Sequence, residues 1–336
     1  MNFLTIDSGT TNTRVCLWRN DAVIGADSVA VGVRDTAISG SRDALHNAVR
    51  DSVARTLNNA GVRPDQIGLT LAAGMITSAL GLFEVPHVPA PASLDDLAQH
   101  MIAHDFPDLI GQPVWFIPGV RNAVPVVTLA NCDSMDMMRG EEVEVIGLLA
   151  RLRISAATLF ILPGSHTKLV HVDAAGSIRA CATTLTGELL QTVSTNTILA
   201  PSLGSAFADS FDAALVSAGA ASANRTGLGR TCFSVRILDQ FNAAERNARA
   251  NFLLGAVLAS DILTLKNSTA LQADPAMPIV IAGGGVLQEA LALLIAQDPH
   301  FTGPVTLVDA AQQQYLSGFG AARVAVARGL LPSNFN

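Results

Sequence analysis

Asp7, Gly9, Thr10, Thr11 and Arg14 lie within one short stretch, after the apolar run Phe3-Leu4-Thr5-Ile6 and before a second run ending at Trp18. Backbone N–H groups at a glycine turn, together with hydroxyls, can hold phosphate oxygens. A carboxylate beside them can hold Mg²⁺, usually through its water shell. The stretch therefore points to a phosphate site with Asp7 as the metal residue. An Asp-x-Gly-x-Thr pattern also occurs in ordinary polar hairpin turns. A second stretch, Gly164-Ser165-His166-Thr167-Lys168, repeats the chemistry. The chain has two lysines, Lys168 and Lys266. A lysine closing a glycine loop can neutralise phosphate charge; the competing reading is a solvated charge at a strand edge. His166 can donate to a phosphate or cap the turn.

Two further segments carry candidate chemistry. Gly283-Gly284-Gly285 follows an apolar strand and precedes an apolar helix, and three glycines let a flat ring or ribose lie against the backbone. It is not a G-x-G-x-x-G fingerprint, so a Rossmann dinucleotide site is not indicated. Arg139-Gly140-Glu141-Glu142 opens a helix read over Val143–Ala150. A carboxylate partly removed from water there can act as a general base, and acidic residues also favour a helix N-terminus for dipole reasons alone. Arg139 is either their ion-pair partner or an anion-binding side chain.

The elements that would position these groups repeat. Phe3–Ile6 leads into a glycine loop, Arg14–Trp18 follows, and a turn at Arg19-Asn20-Asp21 precedes a strand from Ala22. Thr158–Leu162, the second glycine loop, Leu169–Val172, a turn at Asp173–Gly176 and Ser177–Thr183 echo it. So long a period suggests duplicated domains rather than a solenoid. The junction is placed near residue 150. Further strands are read at Ile67–Leu71, Val114–Ile117 and Ile279–Ala282. Ser41 reads as an N-cap ahead of Leu45, Val49, Val53 and Leu57, with Gly61 as the stop. Ser93 and Asp96 resemble a capping box. Phe207, Phe211 and Leu215 recur at helical spacing.

Bulk properties narrow the function. The chain has 336 residues, 49% hydrophobic and 15% charged, with a formal charge of -7. It has room for two domains and a large core. A nucleic-acid backbone or an anionic membrane is not expected as a partner. Four scattered cysteines suggest neither a zinc site nor a disulfide framework. No signal peptide is read at the start, and Phe252–Leu265 is apolar but too short to span a bilayer. A cytoplasmic protein is expected, and a homodimer is left open.

In this order the segments resemble the actin, hexokinase and Hsp70 superfamily, and more narrowly the 2-dehydro-3-deoxygalactonokinase family. The matching pieces are Ile6–Asn12, Ala73-Gly74-Met75-Ile76, Ile117-Pro118-Gly119, Met138–Glu142, Leu162–Lys168 and Thr186-Gly187-Glu188-Leu189. The resemblance implies an α/β fold of two duplicated RNase H-like (actin-like ATPase) domains with an ATP cleft between them. Residues 1–150 would be the sugar-acid side and 151–336 the nucleotide side. It implies ATP and Mg²⁺, and phosphorylation of the 6-hydroxyl of 2-dehydro-3-deoxy-D-galactonate. Asp7, Gly9, Thr10, Thr11 and Arg14 would serve phosphates and metal. Gly164, Ser165, His166, Thr167 and Lys168 would form the second phosphate loop, and Gly283, Gly284 and Gly285 the adenosine site. Gly74, Met75 and Arg139 would hold the sugar acid, Arg139 at its carboxylate. Glu141 is the expected base, with Glu142 close behind. Arg121 to Asp136 carries no assignment. The competing functions are an exopolyphosphatase-like phosphohydrolase and a nucleotide-operated actin-like binding module.

Overall fold

The runs read as strands pair as two versions of one sheet. In this computed structural model, which describes residues 1–333 and 335, the strands are β1 (Asn2–Ser8), β2 (Thr13–Arg19), β3 (Ala22–Val29), β4 (Ile67–Gly74), β5 (Val88–Pro89), β6 (Ile102–Asp105), β7 (Pro113–Phe116), β8 (Val120–Arg121), β9 (Met137–Met138), β10 (Thr158–Leu162), β11 (Thr167–Val172), β12 (Ile178–Thr184), β13 (Ile279–Ile281) and β14 (Val305–Leu307). The first sheet runs β3-β2-β1-β4-β7-β6 and the second β12-β11-β10-β13-β14. In each, the first three strands are antiparallel neighbours and the next two run parallel to the central one. The echo in the sequence is therefore a repeated topology. β5, β8 and β9 form a small third sheet.

Strands buried on both faces need cover on both faces. Leu4, Ile6, Val15 and Leu17 pack with Leu45, Val49, Val53 and Leu57 of helix Asp43–Ala60. Leu159, Ile161, Ile279 and Ile281 pack under helices that include Arg246–Asn267 and Gly285–Gln297. The opposite faces share one core, where Phe3, Trp18 and Leu71 join Phe160, Val170 and Val280. Helices Glu141–Arg151 and Leu316–Ala327 fill this layer with Val143, Ile146, Phe319 and Ala322. The last helix thus packs against β1 and β4 of the first sheet, far from its own position in sequence.

Local readings fared unevenly. Ser93 and Asp96 form the expected capping box, and Gly61 ends helix Asp43–Ala60 in the left-handed conformation. The N-cap of that helix is Arg42; Ser41 stands one residue earlier and accepts from the Asp43 N–H at 3.1 Å. Phe207 and Phe211 are not helical. Asp212 caps helix Ala213–Thr226 by accepting from the Leu215 N–H at 3.1 Å, so only Leu215 of the three is inside it. The apolar segment Phe252–Leu265 lies within helix Arg246–Asn267, longer than expected. By length and composition alone that helix could cross a membrane, and here it is largely buried in the core.

The crossing of helices Glu141–Arg151 and Leu316–Ala327 depends on glycines. A Cβ on Gly320 would lie 1.7 Å from the Val143 carbonyl oxygen, and one on Gly147 would lie 2.8 Å from Leu316 Cδ1. Overfilling such a contact costs about 1–3 kcal/mol or more. Gly320→Val is therefore expected to lower the urea midpoint by an amount matching that cost, despite the better helix propensity of valine. An unchanged midpoint would show that the helices do not need this close approach.

Candidate active site

The first glycine loop is held rigidly at its edges and open at its tip. The Gly9 N–H donates to the Asn12 carbonyl at 2.8 Å, closing the turn, and the Thr13 hydroxyl donates to the Val31 carbonyl at 2.8 Å. Val33 and Arg34 donate to the carbonyls of Gly9 and Thr10, seating a short helix on the loop. Thr10 and Thr11 stay exposed. Asp7 lies opposite Arg14 in the β1–β2 register, 4.0 Å from its guanidinium. Its carboxylate accepts from Ser317 Oγ at 2.8 Å. Burial pushes the Asp7 pKa up, while Ser317 and Arg14 pull it down.

The acidic helix start is brought to this loop by two glycines. Gly74 has φ +85°, and a Cβ there would meet the Ser8 carbonyl oxygen at 2.6 Å and Asp7 Oδ1 at 2.9 Å. A Cβ on Gly140, at φ +110°, would meet Gly74 at 3.2 Å. Glu141 and Glu144 then line the same 230 Å³ cavity as Asp7, the first loop and Gly74. Burial pushes the Glu141 pKa up and Lys168 draws it back down. Burial, then Asp7 and Glu141, raise Glu144 to about 8.

The second loop meets the first across the cleft. Gly164, Ser165 and His166 line a 680 Å³ cavity together with Thr10 and Thr11. The N-terminus of helix Thr186–Asn196 supports the second loop. Glu188 N–H donates to the Ser165 carbonyl at 2.9 Å, and a Cβ on Gly187 would lie 2.3 Å from the Gly164 carbonyl oxygen. His166 Nε2 lies 2.8 Å from a Glu188 carboxylate oxygen. The same cavity is walled by Gln191, Asn196, Phe207 and Leu287. Gly283 lines a third cavity, of 570 Å³, with Asp7, Arg14 and Glu144. Gln313 fixes Gly283 by accepting its N–H and donating to its carbonyl at 2.7 Å. Gly284 and Gly285 begin helix Gly285–Gln297 with open space where side chains would be. Shared walls make the three cavities one cleft.

Five of the expected site residues turn their side chains into the protein in whole or in part. Arg139 lines the 230 Å³ cavity with Gly74 and Glu141, but its terminal nitrogens are engaged within the protein. Its terminal nitrogens donate to the Thr77 carbonyl and hydroxyl and the Val85 carbonyl, each at 2.7 Å, and one lies 3.3 Å from His87 Nδ1. Lys168 is buried; its ammonium donates to the Met137 carbonyl at 2.7 Å and to the Thr183 hydroxyl, with Asp136 at 3.8 Å. It ties the two halves together and does not stand over the glycine loop. Thr167 is likewise buried beneath that loop. Glu142 points inward, fully buried, and accepts from the Gly140 N–H at 2.9 and 3.0 Å. Met75 packs against the core of the first sheet.

The sequence reading missed Glu144, Ser317, Phe207 and Gln313. Glu144 had a signal: it stands three residues after Glu141 on one helix, which places both on one face. Ser317 had none, because its partner Asp7 is 310 residues away.

Among the described residues, no three His, Cys, Asp or Glu side chains form a metal cage. Asp7 and Glu144 nevertheless line the same cavities, and a pair of carboxylates on one wall is a donor set that a hydrated cation fits.

Burial and then Glu141 raise the Glu142 pKa to about 8. The folded chain therefore holds this proton more tightly than the unfolded chain. That stability is fully present below the unfolded value and is lost as pH rises through about 8. His87 shifts the other way, to about 4, so the comparison begins near the ordinary histidine value of about 6.5; Glu144, also raised to about 8, is present in both proteins, so the difference in slope reports Glu142. From there to about pH 8, the urea midpoint of the nucleotide-free protein should fall more steeply than that of Glu142→Gln. Parallel slopes would show that Glu142 does not titrate there.

Comparison with known proteins agrees with this arrangement. The 2-dehydro-3-deoxygalactonokinase of Escherichia coli K12 is 25% identical over 272 residues, covering 80% of this chain and 82% of that protein. The crystal structure of a candidate 2-dehydro-3-deoxygalactonokinase from Sinorhizobium meliloti superposes with a TM-score of 0.74 at 22% identity, covering 98% of this chain and 99% of that one. Component A of the (R)-2-hydroxyglutaryl-CoA dehydratase of Acidaminococcus fermentans gives a TM-score of 0.51 at 15% identity over 97% and 99% of the two chains. These likenesses place the fold among the actin-like ATPases. A family model described as 2-keto-3-deoxy-galactonokinase matches residues 7–317, and with the paired glycine loops and the acidic helix start in one cleft, the chain belongs to that family of carbohydrate kinases.

Proposed function

We propose that the protein transfers the γ-phosphoryl group of ATP to the 6-hydroxyl of 2-dehydro-3-deoxy-D-galactonate. The observation that carries this is the single cleft in which both glycine loops face each other and Glu141 lines the wall beside the first. Phosphoryl transfer needs positioning and charge stabilisation more than covalent help from the protein. Backbone N–H groups and hydroxyls of Thr10, Thr11 and Gly164–His166 would grip the phosphates, with Arg14 beside them and Gly9 closing the turn that presents the threonines. Phe207 and Leu287, the latter in the first turn of the helix that Gly285 begins, offer apolar walls for the base. Asp7 and Glu144 would hold Mg²⁺, which when bound neutralises phosphate charge. Glu141 takes the proton of the attacking hydroxyl; burial raises its pKa, which makes it a stronger base than an exposed glutamate.

With Arg139 occupied, Arg121 is the better hook for the sugar-acid carboxylate. It is half-buried on β8, and its one hydrogen bond among the described residues goes to the Asn122 carbonyl at 3.2 Å. Pro89 stands opposite it in the β5–β8 register, two residues after His87. Burial and three cations, Arg139, Arg121 and Lys168, hold His87 neutral, with its pKa near 4. Its Nε2 is buried without a partner. This corner favours an anion.

The proposed hinge lies near residue 150, with helix Leu316–Ala327 moving with the first sheet on which it packs. Closure would exclude water, which otherwise competes as acceptor. The cytoplasm, where ATP is held, is the proposed compartment.

Asp7→Ala is expected to lower kcat by about 10³-fold or more, and Glu141→Gln by about 10²–10⁴-fold, in an ADP-release assay with the sugar acid. Near-normal turnover in either variant would remove that residue from the reaction. Phosphate release at the wild-type rate without any sugar acid would instead favour a phosphohydrolase. Arg121→Gln should raise KM for the sugar acid about 10–100-fold and leave KM for ATP unchanged; an unchanged sugar-acid KM would place the carboxylate elsewhere.

A further inference from the structure

Asp261 lies in the middle of helix Arg246–Asn267 and is 1% exposed. Its neighbours along that helix are the apolar residues of the second core. Burying a carboxyl is costly unless it is well bonded, yet its partners here are hydroxyls rather than cations. The Thr186 hydroxyl lies 2.7 and 2.6 Å from its two oxygens. Thr184 Oγ1 lies 2.8 Å from Thr186 Oγ1. Thr167 is near enough to act on the same carboxyl, although its hydroxyl is buried outside full bonding geometry.

These three threonines mark the elements that hold the second glycine loop. Thr167 begins β11, Thr184 ends β12 opposite it in register, and Thr186 begins helix Thr186–Asn196. The first turn of that helix carries Gly187 and Glu188, whose contacts seat Gly164 and Ser165. A displacement of Thr186 would therefore move the wall on which the loop rests.

We propose that Asp261 is a positioning residue for the nucleotide: a buried hub that fixes Thr186, and through it Thr184, and so aims Gly164–His166 at the phosphates, without touching either substrate. The inference rests on the nucleotide reading of that cavity. Small errors in the placement of such donors are expensive, because their value comes from being fixed before the ligand arrives. Burial also raises the Asp261 pKa, which favours a neutral carboxyl and avoids a full negative charge beneath an anion site.

The test pairs Asp261→Leu, which removes both carboxyl oxygens and leaves the Thr186 hydroxyl facing an apolar side chain, with Asp261→Asn, which keeps an acceptor and a donor. Asp261→Leu is expected to raise both KM for ATP and the ADP dissociation constant about tenfold or more, with KM for the sugar acid unchanged. Asp261→Asn should recover most of that loss. A merely structural role would lower thermal stability and leave the ratio of the two KM values untouched. If the leucine variant does not fold, Thr186→Val must show the same ATP-side loss. Unchanged ADP affinity in a folded leucine or valine variant, or equal shifts in both KM values, would overturn the inference. ADP titration needs no acceptor. Wild-type protein that binds ADP but phosphorylates no sugar acid would refute the proposed reaction and leave this test standing.

Discussion

The site depends on one backbone junction. The end of β4 at Gly74 runs so close to the end of β1 that no side chain fits between them, and Gly140 lies against Gly74 from the other side. Positive φ at both glycines lets the chain turn sharply there, which residues with a Cβ rarely allow. Through this junction the first glycine loop, the end of β4 and the acidic helix start become neighbours. Gly74 matched the family motif as a pocket residue, and its physical requirement is backbone approach.

That junction gathers negative charge. Asp7, Glu141, Glu142 and Glu144 converge beside the cleft, and each has a raised pKa, chiefly because burial favours the protonated form, with repulsion from a neighbouring carboxylate adding to it in the three glutamates. The environments then divide the roles. Glu142 is sealed in the core and satisfied by a backbone N–H, whereas Glu141 and Glu144 line the cleft. A site that must bind a triphosphate beside carboxylates has to supply positive charge from elsewhere. Backbone N–H groups of the two loops, Arg14 and a hydrated cation can do so.

The two sheets repeat each other in strand order, but their cations do not play matching parts. Lys168 stands after the second glycine loop much as Arg14 stands after the first, yet its ammonium is buried against Met137 and Thr183 of opposite halves. Arg139 likewise clamps Thr77, Val85 and His87. Both side chains brace the backbone around His87 and β9, and their charge still reaches His87 and Glu141. Long basic side chains can brace a site through carbonyl oxygens and set its field from a distance, a role that residue type alone does not reveal.

Much of this protein was legible without coordinates. Apolar runs ending in glycine turns identified β1, β2, β10 and β11, and their repetition identified the doubled sheet, because period-two burial and turn chemistry are local properties. The Ser93–Asp96 cap and the Gly61 stop were legible for the same reason. What the sequence could not decide was direction and partnership. Whether Glu141 or Glu142 faces the cleft is a rotation about one helix axis, set by the glycine junction. Whether Arg139 and Lys168 meet a ligand or a carbonyl depends on segments dozens of residues away. The bond from Ser317 to Asp7 exists only because the final helix returns to the first sheet. Local pattern therefore determined the elements and the class of chemistry, and tertiary packing alone decided which polar atoms remain free to perform it.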